Sequence, residues 1–399
     1  MDLFNLKDVT FTHASASAPA MAGFSLDIEE GVRTAILGAN GAGKTTLFHT
    51  LTGVNKPQKG EVLYRGEPVQ YTKEGLKALR SEVAVVLQNP DEQIFCSLVE
   101  EDVAFGPLNL GLDRDVVEER VEKVLRDVRL YGLNRRPLQQ LSGGQRKRVA
   151  IAGALAMRPK VMIMDEPTAG LDPQASMEVM ELAEKLALEG VTVLISTHDV
   201  DLAYGWADVA DVIRHGNVEY SGVPEGFYSD AVKVYECGLL APGVFTMNRE
   251  ASSRRGIPEE PYPRRQCEFL AKFGSCKKAG RLLLAPATPE EAEARLDSAA
   301  GDLKGAAVGI YGSDVRHALG GREADYMFDA LDSCFGKAAE GGDAVLMYDP
   351  VYQPLMEAQR KRMSMFGLDL EVLRWPSPYW KPRTSRIPTA GRAPRSSTR

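Results

Sequence analysis

The sequence predicts an α/β protein with a largely parallel sheet, followed by a second, smaller α/β domain. Short β-branched runs alternate with helical patterns over the first 238 residues, and the same alternation returns near the C-terminus. Charge also divides along the chain. Residues 1–238 contain 24 Lys and Arg against 35 Asp and Glu, whereas residues 239–399 contain 24 against 20. The total of 399 residues is enough for two or three domains.

The predicted strands of the first part are short apolar runs separated by helical patterns. They are Val32–Leu37, Val83–Leu87, Val161–Met164 and Val191–Ile195. Val209–Arg214 and Val218–Ser221 flank the turn residues His215-Gly216-Asn217, so they are expected to form a hairpin that closes this part. We therefore predict a first domain over residues 1–238.

Composition changes after this point. Residues 239–280 are rich in Pro and Arg and are expected to be a linker. A small, Rossmann-like α/β domain is predicted over residues 281–375, with four strands and three helices. The strands are Arg281–Ala285, Ala306–Tyr311, Ala344–Tyr348 and Leu370–Leu373, and the helices are Thr288–Ala300, Asp325–Lys337 and Gln353–Phe366. Residues 376–399 contain six basic residues and no acidic one, which predicts a disordered basic tail.

Several classes of protein are excluded. No run approaches the roughly 20 apolar residues of a membrane span, and the N-terminus lacks the pattern of a secretory signal, so a cytosolic protein is expected. The five cysteines are Cys96, Cys237, Cys267, Cys276 and Cys334. They show neither a Cys-x-x-Cys pair nor zinc-ligand spacing, so reduced, structural thiols are expected.

A phosphate-binding loop follows the first predicted strand. The segment from Gly38 to Thr45 reads GANGAGKT and fits the pattern G-x-x-x-x-G-K-[ST], directly before a helical run to Leu51. Such a loop directs backbone N–H groups at phosphates, while its lysine reaches the β/γ oxygens and its hydroxyl ligates Mg²⁺. The predicted ATP-binding residues are Gly38, Asn40, Gly41, Ala42, Gly43, Lys44, Thr45 and Thr46.

Two carboxylates follow another strand. Asp165 and Glu166 come directly after Val161–Met164. Phosphoryl transfer needs a carboxylate in the Mg²⁺ shell and a group that orients or deprotonates the attacking water. Asp165 suits the first role and Glu166 the second.

The pentapeptide Leu141-Ser142-Gly143-Gly144-Gln145 reproduces the signature sequence of the ATP-binding cassette (ABC) ATPases, and residues 1 to about 238 resemble that family. The resemblance implies a P-loop ATPase fold with a helical signature subdomain. It also implies that Ser142, Gly143, Gly144 and Gln145 of one subunit close over ATP held by the phosphate loop of another. The residues themselves agree, because Ser142 is a good N-cap for a helix running to Met157, and a helix N-terminus favours anions.

The remaining cassette elements occur in the order that the family has them. Gln88 occupies the place of the glutamine that senses Mg²⁺ and the transport partner, so the resemblance assigns Mg²⁺ to Thr45, Gln88 and Asp165. Gly170-Leu171-Asp172 resembles the segment that links the two ATP sites, and His198 sits at the place of the switch histidine. His13 occupies the usual position of an aromatic residue that stacks on adenine, which leads us to expect weaker or less base-selective nucleotide binding.

The segment from Gln88 to Leu112 closely resembles the ATPases of energy-coupling-factor (ECF) importers, most of all the cobalt/nickel group. Its apolar residues Ile94, Phe95, Leu98 and Phe105 are expected to seat the coupling helices of a membrane partner. The resemblance implies a homodimer or an ABC ATPase heterodimer that acts with a transmembrane coupling subunit and a substrate-binding membrane subunit. The expected location is the cytoplasmic face of the cell membrane, as a peripheral subunit.

Three alternatives stay open at this stage. The first is an ECF vitamin importer, which is built on an unequal pair of ATPases. The second is a soluble ABC ATPase that acts on nucleic acid or ribosomes, which only the basic tail favours. Such proteins commonly carry two cassettes or a long coiled-coil insertion, and this sequence shows neither, so no nucleic acid partner is expected. The third concerns the small domain, where Gly, Ser and Asp follow predicted strands at Gly312-Ser313-Asp314 and Asp349. An appended enzyme or sensor would hold a ligand there. These residues match no fingerprint such as G-x-G-x-x-G, so ordinary turns with caps are the other interpretation.

Overall fold

The computed structural model describes residues 2–274, 278–296, 305–320 and 324–374. The strands are β1 (Asp2–Phe11), β2 (Met21–Glu29), β3 (Thr34–Leu37), β4 (Lys59–Tyr64), β5 (Glu67–Pro68), β6 (Val83–Val86), β7 (Val161–Asp165), β8 (Thr192–Ser196), β9 (Val209–Arg214), β10 (Asn217–Gly222), β11 (Arg281–Pro286), β12 (Ala307–Tyr311), β13 (Ala344–Tyr348) and β14 (Glu371–Arg374). The helices are α1 (Lys44–Leu51), α2 (Lys73–Glu82), α3 (Val99–Leu110), α4 (Arg114–Asp127), α5 (Gly143–Ala156), α6 (Pro173–Leu188), α7 (Val200–Trp206), α8 (Pro224–Tyr228), α9 (Ala231–Glu236), α10 (Gly243–Arg255), α11 (Gln266–Phe273), α12 (Ser313–Ala318), α13 (Ala330–Ala339) and α14 (Gln353–Met365).

A six-stranded sheet forms the centre of the first part, in the order β10-β9-β3-β8-β7-β6. Five of these strands are parallel, and β10 pairs antiparallel with β9. The predicted strands and the closing hairpin are therefore confirmed. Because the strands are parallel, their carboxyl ends share one edge, and this edge carries the phosphate loop, the two carboxylates and His198.

A second sheet of four antiparallel strands, β2-β1-β4-β5, packs on one face of the first. The core between them includes Phe4 and Phe24 of this sheet, Leu47 of α1 and Ile163 of β7, all almost fully buried. This antiparallel sheet is not among the elements predicted from the sequence. The opposite face of the six-stranded sheet is covered by the helical subdomain α3–α5 together with α6 and α7.

Residues 239–280 differ from the predicted linker, because they contain two helices that are packed into neighbouring cores. Phe245 of α10 is buried in the core of the first part, and Cys267 of α11 is buried in the core of the small domain. Their arginines bind specific acceptors: Arg264 donates to Glu225 and to the carbonyl oxygen of Ala207. These contacts outweigh the turn-forming tendency of the prolines.

The small domain has four parallel strands in the order β12-β13-β11-β14, with apolar clusters on both faces. Its four predicted strands are present. The helix predicted over Asp325–Lys337 begins later, at Ala330, because the backbone of Tyr326 pairs with that of Val308 and Ile310. Of the helix predicted over Thr288–Ala300, residues 292–296 are helical and residues 289–291 form a turn. Residues 297–300, Cys276 and the basic tail lie outside the described residues.

The carboxyl-terminal edge of the small sheet contacts α6 of the first part. Arg316 of α12 and Glu181 of α6 form an ion pair at 2.6 Å, and both side chains are 5% exposed. Three further contacts cross this boundary: Lys185 Nζ to Asp314 Oδ2 at 3.0 Å, Arg129 Nη2 to the Ser313 carbonyl oxygen at 2.8 Å, and Tyr352 Oη to the Glu181 carbonyl oxygen at 3.1 Å. The edge where open α/β sheets hold ligands therefore adjoins the first domain.

Candidate functional site

The phosphate loop connects β3 to α1. Gly38, Gly41 and Gly43 have positive φ angles of 148°, 79° and 117°, which residues other than glycine rarely adopt. At Gly38 a Cβ atom would also lie 2.3 Å from the carbonyl oxygen of Ile213. The hairpin β9–β10 holds the loop, because the Gly216 N–H donates to the Ala42 carbonyl oxygen at 2.9 Å.

Lys44 is the first residue of α1 and is buried, with its ammonium directed back into the loop. Nζ donates to the carbonyl oxygens of Gly38 at 2.7 Å and Ala39 at 3.3 Å. Asn40 and Gly41 are exposed at the loop tip, while Thr46 is buried one residue beyond Thr45. The sequence prediction placed these residues in one loop, and the structure brings their backbone N–H groups to the N-terminus of α1, which favours an anion.

Thr45 and Asp165 meet across the site. Thr45 Oγ1 donates to Asp165 Oδ2 at 2.8 Å. The other carboxylate oxygen of Asp165 accepts a hydrogen bond from Ser196 Oγ, and Ser196 is fully buried at the end of β8. A threonine hydroxyl and a carboxylate are hard oxygen ligands of the kind that Mg²⁺ prefers, so this pair fits the ion.

Glu166 and His198 form the next pair along the strand ends. Glu166 Oε2 lies 2.9 Å from His198 Nδ1; the glutamate side chain is 6% exposed and the imidazole 66%. Glu166 has a φ angle of 46°, in the left-handed region that favours glycine. Backbone strain at a non-glycine residue concentrates at functional sites. Both residues were predicted, and the structure places them side by side.

Lys147 of α5 reaches the same region from the helical subdomain. Its Nζ donates to the carbonyl oxygens of Gln88 at 2.8 Å, Leu87 at 3.1 Å and Glu166 at 3.3 Å. Burial lowers the pKa of Lys147 to about 8, against the opposing charges of Asp165 and Glu166. The side chain of Gln88 is exposed at this position.

The signature residues begin α5. Gln145 N donates to Ser142 Oγ at 3.2 Å, and Ser142 N donates to Gln145 Oε1 at 3.0 Å, so the predicted N-cap is a reciprocal capping box. Ser142 and Gly143 are exposed, and Gly144 lies beside Leu171. The N-terminus of α5 is therefore open to solvent.

His13 lies beside the phosphate loop. Its Nε2 is 3.1 Å from Thr46 Oγ1, and its ring packs edge-on against Phe11 with centroids 5.0 Å apart. His49, three residues after Thr46 in α1, is half-buried, and burial lowers its pKa below the ordinary value of 6.5. The structure thus places His13 against the helix that follows the phosphate loop.

Sequence reasoning missed two residues of this site, Ser196 and Lys147. Ser196 directly follows a predicted strand, at the edge where ligands collect. Lys147 precedes Ala150, Ile151 and Ala154 by three, four and seven residues, so the four side chains share one face of α5. All four residues are buried. A lysine on an apolar helix face was the available signal.

A groove with a mixed polar and apolar lining lies along the segment that begins at Gln88. Phe95 is 64% and Phe105 44% exposed, and their rings are 4.6 Å apart. The groove beside Phe95 has a volume of about 390 Å³, and its other lining residues are Asp91, Ile94, Cys96, Leu138, Gln139 and Arg146. Leu98 is half-buried, while Val103 is fully buried and belongs to the core.

Within the part of the chain that the structure describes, no group of three or more His, Cys, Asp or Glu residues is arranged to hold a metal ion. Over the same residues, no helix is both long and apolar enough to cross a bilayer. The fold and the site define a nucleotide-binding ATPase in which a phosphate loop, a strand-end carboxylate pair and a signature helix occur together.

Comparison with known proteins identifies the family. The family profile described as "ABC transporter" matches residues 21–169. The energy-coupling factor transporter ATP-binding protein EcfA of Methanocaldococcus jannaschii is 44% identical over 260 residues, which cover 65% of this chain and 93% of that protein. The chain belongs to the ABC transporter ATP-binding proteins of the energy-coupling-factor type, and it is an ATPase that binds ATP.

Solved structures agree with this assignment. CbiO1 of Clostridium perfringens, described as part of the ABC transporter complex cbiONQ, is 36% identical with a TM-score of 0.53, covering 63% of this chain and 95% of that chain. The cassette MJ0796, described as a dimer in a post-hydrolysis state bound to ADP and Pi, is 29% identical with a TM-score of 0.52, covering 55% of this chain and 98% of that one. Neither similarity extends over the whole chain.

Proposed function

We propose that this chain is the ATP-hydrolysing motor of an ECF-type importer for cobalt or nickel ions. The observation that carries the proposal is the segment from Gln88 to Leu112, which resembles the cobalt/nickel group and connects the site to the groove at Phe95 and Phe105. The similarity of the chain to CbiO1, a part of the cbiONQ complex, supports the same assignment. An ECF vitamin importer is the alternative.

The residues of the site suit in-line transfer of the γ-phosphoryl group to water. The loop N–H groups and Lys44 bind the phosphates, which orients the γ-phosphorus for attack. The Glu166 carboxylate accepts the proton of the attacking water, and His198, held against that carboxylate at 2.9 Å, contacts the γ-phosphate. Mg²⁺, held by Thr45, Asp165 and Gln88, would neutralise charge on the β- and γ-oxygens.

Two chains are needed for a complete site in this proposal. Ser142 and Gly143 are exposed at the N-terminus of α5, which offers N–H groups to an anion on another chain. Asp172, after Gly170 and Leu171, caps α6 by accepting from the Ala175 N–H at 2.8 Å, which gives the connecting segment a fixed start. One chain carries Glu166, His198 and the full signature, so a homodimer has two competent sites. A heterodimer with a second ABC ATPase is the alternative.

The groove at Phe95 and Phe105 is the proposed seat for a helix of the transmembrane coupling subunit. Asp102 Oδ1 accepts hydrogen bonds from the N–H groups of Phe95 and Cys96 at 2.8 and 3.0 Å. These bonds fix the loop that carries the Phe95 ring. Arg146, four residues after the signature serine, pairs with Asp91 at 2.8 Å. A coupling helix seated here would thus act on both the Gln88 segment and α5. The location that follows is peripheral, on the cytoplasmic face of the membrane beside a substrate-binding membrane subunit.

Purification of the chain with its native membrane partners tests the importer assignment. We expect one species of ABC ATPase and two integral membrane proteins. Vesicles reconstituted with the complex are expected to accumulate radiolabelled cobalt or nickel ions when ATP is present, and vesicles with the Glu166→Gln variant are expected not to. Two different ATPases together with vitamin uptake would establish the alternative.

We also propose that residues 281–375 form a small α/β domain that regulates the ATPase through α6. The supporting observation is the buried pair between Arg316 and Glu181, because α6 begins at the segment that links the two ATP sites. Removal of all residues after Gly238 would be a poor test, since it also deletes Phe245 from the core of the first domain. Point variants at the boundary are the better experiment.

A further inference from the structure

Lys147 is the most buried lysine of the site, and nothing in the phosphoryl-transfer scheme above uses it. Its residue surface is 2% exposed, and its ammonium contacts three backbone carbonyl oxygens, of Leu87, Gln88 and Glu166, at 2.8–3.3 Å. An ammonium group has three N–H donors and no acceptor, so the three carbonyl groups match its full capacity.

The contact with Glu166 concerns a residue whose backbone is held in an unfavourable conformation. Glu166 has a φ angle of 46°, which costs free energy for any residue other than glycine unless its surroundings fix it. Its N–H donates to Ser196 Oγ at 3.0 Å, and its carbonyl oxygen accepts from Lys147 at 3.3 Å. Ser196 and Lys147 therefore hold the peptide groups on either side of the strained α-carbon.

The other two contacts reach a different strand end. Leu87 and Gln88 directly follow β6, while Glu166 directly follows β7, so one ammonium group ties two adjacent strand ends together. Lys147 itself lies on α5, the helix whose N-terminus carries the signature residues. A shift of α5 relative to the sheet would therefore move the acceptors of Lys147 or break its hydrogen bonds.

We propose that Lys147 is a positioning residue for hydrolysis, which fixes the backbone of Glu166 and Gln88 and transmits the position of the signature helix to them. The inference rests on the proposed role of Glu166 as the acceptor of the water proton. Lys147 does not contact the nucleotide in this scheme. Its loss therefore lowers the rate of the chemical step and leaves ATP affinity nearly unchanged.

Lys147→Met tests this, because methionine has a similar length and no donor. We expect kcat for ATP to fall about 10- to 100-fold, the range that misplacement of a reacting group produces, with the Kd for ATP within about threefold of the wild type. Lys147→Gln keeps two donors and gives a smaller loss of kcat, and it carries the test if the methionine variant does not fold. Lys160→Met is the matched control, since Lys160 pairs with Glu82 on the surface, and its kcat is expected to stay unchanged.

A second measurement separates positioning from general damage. The Glu166→Gln variant alone tests the role of Glu166. Adding Lys147→Met to this variant is expected to leave its retention of ATP unchanged. Loss of ATP retention, or an unchanged kcat in a folded Lys147→Met variant, would overturn the proposal for Lys147 while the role of Glu166 stands. Undiminished turnover by Glu166→Gln alone would instead remove the proposed function of Glu166.

Discussion

The ion pair between Arg316 and Glu181 allows a quantitative test of how the small domain is attached. Both side chains are 5% exposed, and the carboxylate of Glu181 has this guanidinium as its closest cation, with Oε1 at 2.6 Å and Oε2 at 3.4 Å. Arg316→Met keeps the aliphatic volume and removes the charge. The carboxylate is then left buried without its partner, which costs about 3–5 kcal/mol.

Proton uptake limits that cost. Burial already raises the pKa of Glu181, and Arg316 opposes this, so removal of the arginine raises the pKa further. A carboxyl group that becomes neutral avoids part of the penalty, about 1.4 kcal/mol for each unit by which its raised pKa lies above the solution pH. We therefore expect Arg316→Met to be more destabilising at pH 8 than at pH 5.

The assay is urea unfolding combined with hydrogen exchange measured on α6 and α12. Arg316→Met is expected to lower the free energy of unfolding by about 3 kcal/mol at pH 8 and to speed exchange in both helices. The double variant Arg316→Met with Glu181→Leu is expected to recover most of this loss, because an apolar pair can replace a buried ion pair at little cost. The exposed pair Arg254 and Glu250, at 3.5 Å, is the control, and Arg254→Met is expected to change stability by less than about 0.5 kcal/mol. A loss below 1 kcal/mol for Arg316→Met, or a double variant no more stable than the single one, would refute the reasoning.

Three further predictions concern other parts of the molecule. Asp211 is 1% exposed and burial raises its pKa to about 7, so the unfolded state binds fewer protons than the folded state between about pH 4 and pH 7. Stability is therefore lost as pH rises through this window, and Asp211→Asn is expected to remove about 3–4 kcal/mol of that pH dependence in thermal unfolding, whereas identical slopes would contradict the assignment. His13→Tyr is expected to tighten ATP binding about three- to tenfold, as measured by calorimetry, because a phenol ring offers more stacking area than an imidazole, and an unchanged affinity would disprove the idea. Phe95→Asp is expected to abolish co-purification with the membrane partners while the ATP affinity of the isolated chain stays the same, and retention of the complex would exclude the groove as the docking site.

Local motifs made the nucleotide site predictable. The phosphate loop, Asp165, Glu166 and the signature are each short segments whose chemistry depends on neighbouring residues in the chain. The convergence of the phosphate loop, Asp165 and Glu166 followed from the parallel sheet, which places the carboxyl ends of its strands at one edge. The contacts made by Ser196 and Lys147 depend on the packing of separate elements, so they became visible only in the structure.

The elements that sequence reasoning missed have physical reasons of their own. In β1 the pairing register shifts at three places against β2, which disrupts the period of two that identifies a half-buried strand. The linker predicted over residues 239–280 was wrong because it was inferred from a Pro- and Arg-rich composition alone. Arg249, Arg255 and Arg264 instead donate to backbone carbonyl oxygens of residues up to 57 positions away, and composition gives no sign of such partners.

ATP-driven pairing of two chains is the central claim, and retention of ATP by the Glu166→Gln variant tests it most directly. With the carboxylate replaced by an amide, the water proton has no acceptor, while the phosphate loop and the signature residues stay intact. We predict that size-exclusion chromatography in ATP will show a dimer that retains two ATP molecules, and that ADP will leave the variant monomeric. A variant that remains monomeric in ATP, or one that hydrolyses ATP at the wild-type rate, would contradict the account.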